Sequence, residues 1–216
     1  MDLSNIDLII IEGSDNQSNV ELAQKTLLVS SKHINFASIK LIAPISPIIL
    51  HPSVQYQNIK RLSWQEYNWF VTFGLKNFVS SDFCILTQTD GFITNPSAWN
   101  IDFLNYDYIG ACWRWNDSNH FPQSEKNQTP YEESNFVGNG GFTLRSKKFL
   151  EETAKLPMYE SGPEDGWHCK INYKRMKASG IKFAPPNIAE QFSTDPPNNK
   201  SFGFHGDKGK IHAYNL

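Results

Sequence analysis

The sequence has few cysteines, no long apolar run and no excess of basic charge. Its three cysteines, Cys84, Cys112 and Cys169, have no CxxC spacing, which argues against a disulfide framework and a zinc knuckle. No apolar run reaches the ~18 residues of a membrane span, and acidic residues stand where a secretory signal would carry positive charge. We therefore expect a soluble, cytoplasmic protein without a membrane span. A net charge of -2 and a pI near 6.3 argue against nucleic acid as the main partner.

Three motifs of nucleotide and ester chemistry are also missing. There is no GxGxxG followed by a downstream acid, no GxxxxGK[ST] and no G-x-S-x-G elbow. The first two absences argue against a Rossmann dehydrogenase and a P-loop enzyme, and the third weakens an α/β-hydrolase interpretation. Aromatic residues, in contrast, make up 13% of the chain. Such a composition is typical of long ordered loops and of surfaces on which sugar rings stack, and it does not separate the two.

The first ninety residues alternate between short β-branched runs and amphipathic helices. The predicted elements are a strand at 7–12, a helix capped by Ser18, a strand at 38–42, a helix from Ser63 to about Val79 and a strand at 82–88. This order is typical of right-handed crossovers in a parallel sheet covered on both faces. We therefore predict a single α/β domain with a mixed, mostly parallel central sheet flanked by helices.

The second half of the chain has longer irregular stretches. Its predicted elements are a strand at 106–111, a polar loop at 113–135, a glycine-interrupted strand at 136–144, and helices that start after Ser146 and near Glu164. A loop of about twenty residues inside a domain is usually functional, so we predict an active-site loop. In the tail from Pro185 onward we expect Phe202, Phe204 and His205 to be the only anchors.

The stretch CILTQTDGFI contains the most informative carboxylate. Asp90 ends an apolar run that looks like a buried strand, and a buried carboxylate must be paired, hydrogen-bonded or metal-bound. Ligands of open α/β sheets lie beyond the carboxyl ends of the strands. A divalent cation that carries a diphosphate needs only one or two protein carboxylates, and the glycine-flanked His205 is a candidate second ligand. The alternatives are that Asp90 only caps a turn and that His205 is a loop residue.

Two further motifs admit a structural and a functional interpretation. Glu164 and Asp165 lie at a predicted helix N-terminus, where carboxylates complement the helix dipole. Alternatively, Asp165 faces a cleft as a general base that takes a proton from an acceptor hydroxyl. The run from Gly138 to Gly141 either forms a β-bulge or lets the backbone approach a ligand closely.

The order of these motifs resembles the GT-A fold of nucleotide-sugar glycosyltransferases. More narrowly, QTD, YDYIGACW, VGNGGFTLRS and EDGW over residues 60–206 are similar to a family of glycosyltransferase-like domains. The resemblance implies one GT-A-like, Rossmann-like domain over residues 1–216, with a nucleotide-binding half at 1–90 and an acceptor and catalytic half at 91–216. It also implies a nucleotide-sugar donor, a glycan or other hydroxyl acceptor, and Mn²⁺ or Mg²⁺.

The same resemblance assigns roles to individual residues. Gln88-Thr89-Asp90 takes the D-x-D place, with Gln in the first position, which puts metal dependence in question. The implied metal ligands are Asp90 and His205. The implied donor-binding residues are Glu12, Gln88, Thr89, Asp90, Gly91, Asn139, Gly140 and Gly141. The implied acceptor cleft contains Trp113, Arg114, Trp115 and Trp167. Asp165 is the implied base, and if it points away from the cleft, the alternatives are Glu164 as the base or a retaining mechanism.

The resemblance implies an inverting single displacement, in which Asp165 takes the acceptor proton while the diphosphate departs. Two other functions stay open. The aromatic-rich cleft could bind carbohydrate without catalysis, as an inactive homologue, and turnover of a donor would separate this case from an enzyme. A nucleotidyltransferase or phosphotransferase would need more cleft carboxylates for its metals than Asp90 alone.

Overall fold

A central β-sheet organises the chain. The computed structural model describes residues 1–113, 137–207 and 209–214. Within these ranges the central sheet has six strands in the order β3-β2-β1-β4-β6-β5. The strands are β1 (Asp2–Ile11), β2 (Asn35–Ala43), β3 (Gln55–Asn58), β4 (Phe83–Thr87), β5 (Tyr108–Cys112) and β6 (Val137–Ser146). Strands β1 to β4 are mutually parallel, and β6 runs antiparallel to β4 and β5. The predicted mostly parallel α/β sheet is confirmed.

Helices flank the sheet, and two of them continue into irregular turns. The α-helices are α1 (Gln17–Ser31), α2 (Trp64–Trp69), α3 (Lys147–Thr153), α4 (Glu164–Gly166), α5 (Tyr173–Ala178) and α6 (Pro186–Phe192). A π-helical turn (Phe70–Gly74) and a 3₁₀ turn (Leu75–Phe78) extend α2, and a second π-helical turn (Trp167–Ile171) connects α4 to α5. Further 3₁₀ turns lie at Pro96–Ala98, Ile101–Asn105 and Lys210–Ala213.

The helix starts follow from local capping chemistry. Ser63 and Glu66 form the expected capping box, in which each side chain accepts the other residue's backbone N–H. Ser146 caps α3 by accepting the N–H of Phe149. The prediction for α1 was wrong by two residues, because the side chain of Asn16 accepts the N–H of Ser18 and is the N-cap.

Strand β1 is buried on both faces and fixes the centre of the molecule. Leu8 and Ile10 pack into the cluster shared with α1, whereas Ile9 and Ile11 pack into the cluster shared with the α2 extension and α3. Each fully buried side chain of this kind contributes about 1.5–3 kcal/mol of transfer free energy. The carboxyl ends of β1 and β4 are therefore held by a rigid core.

The C-terminal segment is better anchored than the sequence indicated. Phe192 at the end of α6 stacks on Phe142 of β6 with ring centroids 5.0 Å apart, and Ile211 is also fully buried. Two short paired strands, β7 (Ser193–Thr194) and β8 (Gly203–Phe204), follow. The expectation that only Phe202, Phe204 and His205 anchor the tail was wrong, because α6 and Ile211 also pack into the core.

No helix in the described residues is long and apolar enough to cross a membrane. The cytoplasmic location remains a prediction. The predicted active-site loop lies largely outside the described residues, as do Arg114 and Trp115.

Candidate functional site

The candidate residues meet at one edge of the sheet. Parallel strands β1 and β4 end at this edge, and β6 begins there because it runs antiparallel to β4. The edge therefore collects Glu12 after β1, the Gln88–Gly91 turn after β4, and Asn139 to Gly141 near the start of β6. This is the carboxyl edge, where open α/β sheets bind their ligands.

The Gln88–Gly91 segment is a tight turn that presents Asp90. The backbones of Gln88 and Gly91 exchange two hydrogen bonds of 3.0 Å, so Thr89 and Asp90 form the tip. The hydroxyl of Thr87 donates to the carbonyl of Gly91. The Gln88 side-chain amide donates to the Tyr67 hydroxyl at 2.9 Å. The turn is thus held from both sides, and the Asp90 side chain remains 17% exposed at its tip.

His205 lies directly beside Asp90. The Nε2 atom of His205 is 3.6 Å from an Asp90 carboxylate oxygen, and the Asp90 carbonyl accepts the N–H groups of Gly206 and Asp207 at 2.8 and 3.1 Å. Gly141 makes room for the imidazole, since a Cβ atom there would overlap the His205 ring. The tail and the strand-end turn therefore form one structure.

The pair formed by Asp90 and His205 fits a divalent cation. Neighbouring ligands at ~2.1 Å from one octahedral ion lie about 3 Å apart, and the 3.6 Å between Asp90 and His205 is close to that spacing. In the described part of the chain, no group of three or more His, Cys, Asp or Glu side chains gathers as a metal site. A cation here would take its remaining ligands from phosphate oxygens and water.

Asp195 joins this cluster, and sequence reasoning missed it. One of its carboxylate oxygens accepts the Asn139 side-chain amide at 3.1 Å and lies 3.9 Å from the Nδ1 atom of His205. Asn139 in turn accepts the N–H of Gly141 at 3.3 Å. Asp195 lies in a tail rich in Pro and Asn, and no local signal in the sequence distinguishes it from an ordinary turn residue.

The Asp165 carboxylate lies against the start of β6. It accepts the backbone N–H of Gly140 at 2.8 Å and that of Gly166 at 2.6 Å. Burial and the negative charge of Glu164 raise the pKa of Asp165 to about 7, although the two N–H donors and Arg145 oppose this shift. Asp165 therefore changes its protonation state near neutral pH.

The Glu164 carboxylate has a different environment. It accepts a hydrogen bond from the Arg145 guanidinium at 2.9 Å, and the resulting ion pair is almost completely buried. Arg145 also donates to Thr143 at 2.9 Å, and the backbone N–H of Glu164 donates to the Asn68 side chain at 2.9 Å. Because Glu164 forms a buried ion pair with Arg145, Asp165 is the acid that is better able to contact a substrate.

The predicted acceptor-side aromatics occupy different environments. Trp113 is half-buried at the end of β5, where its ring covers Gly138 and the Lys170 ammonium lies 4.1 Å from the ring centroid. Trp167 is only 9% exposed and stacks on Tyr159 at 4.6 Å, so this packing does not favour a role in an open cleft. Its role remains a prediction.

Glu12 is half-buried just past the end of β1. Its carboxylate accepts the N–H of Ser14 at 2.8 Å, which fixes the side chain over the turn that follows the strand. Glu12 therefore lies at the same sheet edge as Asp90, and its predicted role in donor binding is neither supported nor opposed by a contact with the other site residues.

Comparisons with known proteins find one matching family model and several solved structures of similar fold. The model of the family described as protein of unknown function (DUF5672) matches residues 57–208. A search of curated proteins finds no match. The structure of galactosyltransferase LgtC in complex with donor and acceptor sugar analogs matches with a TM-score of 0.55 at 9% identity, and the match covers 92% of this chain and 86% of that one.

A second similar structure is the mannosyltransferase PcManGT from Pyrobaculum calidifontis in complex with GDP-Man and Mn²⁺. It matches with a TM-score of 0.51 at 10% identity, over 85% of this chain and 55% of that one. At such identities the likeness concerns the fold. The GT-A-like arrangement expected from the sequence is thereby confirmed, with one mostly parallel sheet between helices.

Proposed function

We propose that this chain, which belongs to the family described as protein of unknown function (DUF5672), is a nucleotide-sugar-dependent glycosyltransferase. The proposal starts from its GT-A-like fold. The observation that carries this proposal is the position of Asp90 beside His205 at the carboxyl edge of the sheet, 3.6 Å apart. Asp165 approaches the same edge through Gly140. On this proposal the diphosphate would bind near Asp90 and His205, and Asp165 would act as the general base at the same edge.

On this proposal, Asp90 and His205 would hold Mn²⁺ or Mg²⁺. The cation, when bound, supplies positive charge that stabilises the departing diphosphate. Gln88 stands in the first D-x-D position, and its amide is held by Tyr67 at 2.9 Å. We expect Gln88 to support the turn and Asp90 to provide the protein carboxylate.

The donor sugar would lie along the backbone from Asn139 to Gly141. Gly140 has no room for a side chain, since a Cβ atom there would approach the Glu164 carboxylate to 2.7 Å. The absent side chain at Gly140 therefore makes room for the Glu164 and Asp165 side chains against β6. Glu12, after β1, would meet the nucleotide base or ribose, and Trp113 would lie on the acceptor side.

Asp165 would take the proton of the acceptor hydroxyl while the hydroxyl oxygen attacks the anomeric carbon, with inversion at that carbon. Each Asp165 oxygen accepts one backbone N–H, and a carboxylate oxygen has a second lone pair for a proton. A base with a pKa of about 7 is half ionised near neutral pH, which suits proton transfer at that pH.

Donor turnover tests this proposal. The full chain is incubated with a panel of nucleotide-sugars and Mn²⁺, with and without candidate acceptors, and released nucleotide diphosphate is measured. We expect release from one donor and its loss in Asp90→Asn. If glycans bind while every donor stays intact, the protein is a carbohydrate-binding homologue and the proposal is wrong.

A further inference from the structure

His205 is enclosed by two carboxylates on opposite sides of its ring. Its Nε2 atom faces Asp90 at 3.6 Å, and its Nδ1 atom faces Asp195 at 3.9 Å. The Nδ1 atom is buried and has no hydrogen-bond partner among the described residues. A neutral imidazole has one N–H and one lone pair, so one of its two nitrogens donates a hydrogen bond and the other accepts one or binds a metal.

We propose that Asp195 is a positioning residue, which keeps the proton of His205 on Nδ1 and leaves the Nε2 lone pair directed at Asp90. This inference rests on the proposed function in one respect, namely that a divalent cation binds between Nε2 and Asp90. A single cation cannot coordinate both ring nitrogens, so Asp195 on the Nδ1 side is an acceptor for the ring N–H. A carboxylate in that place orients a metal-binding histidine and increases its basicity.

The backbone holds Asp195 and His205 side by side. Strands β7 and β8 pair Thr194 with Phe204, and the N–H of His205 donates to the Thr194 carbonyl at 3.0 Å. Gly206 follows with a positive φ of 93°, and a Cβ atom there would lie 2.7 Å from an Asp195 oxygen. The chain thus leaves space for this carboxylate where a side chain at position 206 would displace it.

Asn139 fixes the carboxylate from the other direction. Its side-chain amide donates to the Asp195 oxygen that faces His205, at 3.1 Å, and its side-chain carbonyl accepts the N–H of Gly141. The backbone expected to border the donor sugar is therefore joined through Asp195 to the expected metal ligand. The Asp195 side chain is 36% exposed, and because 3.9 Å exceeds a hydrogen-bond length, the carboxylate must move toward Nδ1 to accept its proton.

The test measures the His205 tautomer and the affinity for Mn²⁺ separately. The ¹⁵N chemical shifts of the His205 imidazole are recorded in the metal-free full chain at a pH where the ring is neutral. We expect the Nδ1–H tautomer in the wild type and a shift toward Nε2–H in Asp195→Ala. Affinity for Mn²⁺ alone should fall about 10–100-fold in Asp195→Ala, and less in Asp195→Asn, whose amide oxygen still accepts a hydrogen bond.

The exposed Asp102→Ala variant is the control and should match the wild type. An Nε2–H tautomer in the wild type would overturn the inference without any variant, which matters if Asp195→Ala does not fold. An unchanged tautomer and Mn²⁺ affinity in a folded Asp195→Ala would overturn it as well. If the wild type binds no Mn²⁺, the metal part of the proposed function fails, whereas the tautomer still decides whether Asp195 orients His205.

Discussion

Glu164 and Asp165 are consecutive residues whose carboxylates face different partners. Glu164 accepts the buried Arg145 guanidinium at 2.9 Å, whereas Asp165 accepts backbone N–H groups of Gly140 and Gly166. One acid is part of a core ion pair, and the other lies beside the glycines of the sheet edge. Substitution of the two acids should therefore have separable consequences.

Asp165→Asn should lower turnover strongly and leave the protein folded. Loss of a general base typically lowers the rate by about 10²–10⁴-fold, and the amide oxygen of Asn can still accept one of the two backbone N–H groups. Steady-state kinetics and nucleotide titration would show a lower kcat at unchanged donor affinity. An Asp165→Asn enzyme with wild-type kcat would remove Asp165 as the base.

The dependence of the reaction rate on pH should follow the ionisation of Asp165. The pKa of Asp165 is raised to about 7, and the base must be ionised to accept a proton. The rate should therefore increase as pH rises toward about 7 and level off above it. Burial and the Glu164 charge raise this pKa, whereas the backbone N–H groups of Gly140 and Gly166 and the Arg145 charge lower it. A rate that is flat between about pH 6 and 8 would contradict the assignment, provided that chemistry limits kcat.

Glu164→Gln should act mainly on stability. The substitution leaves Arg145 buried without its counter-charge, and breaking a buried pair in this way typically costs about 3–5 kcal/mol. Urea unfolding followed by tryptophan fluorescence measures the loss. Glu160→Gln, on an exposed side chain of the same segment, is the matched control and should unfold like the wild type. Equal stability of both variants would show that the ion pair is unimportant.

Asp7 should stabilise the sheet at the edge opposite the candidate site. Its fully buried carboxylate pairs with Lys40 at 3.2 Å and accepts hydrogen bonds from Ser38, Ser80 and Ser81. Burial acts to raise the pKa of Asp7, but these donors and the Lys40 charge outweigh it, and the pKa is lowered. The stabilisation is therefore present above the unfolded-state pKa and is lost as pH falls through the folded-state pKa.

Asp7→Asn should lower the free energy of unfolding by about 3–5 kcal/mol at pH 7, and the difference from the wild type should shrink below about pH 4. Urea titrations at several pH values measure both effects. Asp2→Asn, on an exposed residue of the same strand, serves as the control. A difference that grows toward low pH would contradict the sign of the shift.

Gly141→Ala should weaken metal binding through His205. A Cβ atom at residue 141 would overlap the imidazole, so the ring must move away from its place beside Asp90. We expect a loss of Mn²⁺ affinity comparable to that of His205→Ala, measured by titration calorimetry. Gly209→Ala is the control, since a Cβ atom there meets only an Asp207 oxygen at 3.4 Å. Wild-type affinity in Gly141→Ala would show that the ring position is irrelevant.

The sequence was sufficient to predict features that local chemistry determines. Capping by Ser63 and Ser146 and the β-branched run of β1 are visible in short windows. Asp90 could be singled out because a carboxylate at the end of an apolar strand needs a partner.

Features that depend on distant parts of the chain could not be predicted. Two examples are the ion pair between Glu164 and Arg145 and the stacking of Trp167 on Tyr159. Both depend on how the helices pack on β6, which no local pattern encodes. Asp195 reaches His205 only because the short strands β7 and β8 pair. These interactions require the folded core.

A thermal-shift titration of the full chain with UDP, GDP, CMP and TDP, each with and without Mn²⁺, shows directly whether the chain binds a nucleotide with the help of a metal ion. A ligand that binds only the folded state raises the unfolding temperature in a concentration-dependent way. We predict a Mn²⁺-dependent rise with one of these nucleotides and its loss in Asp90→Asn. No rise with any nucleotide, in the presence or absence of Mn²⁺, would contradict a metal-assisted nucleotide-sugar site at Asp90 and His205.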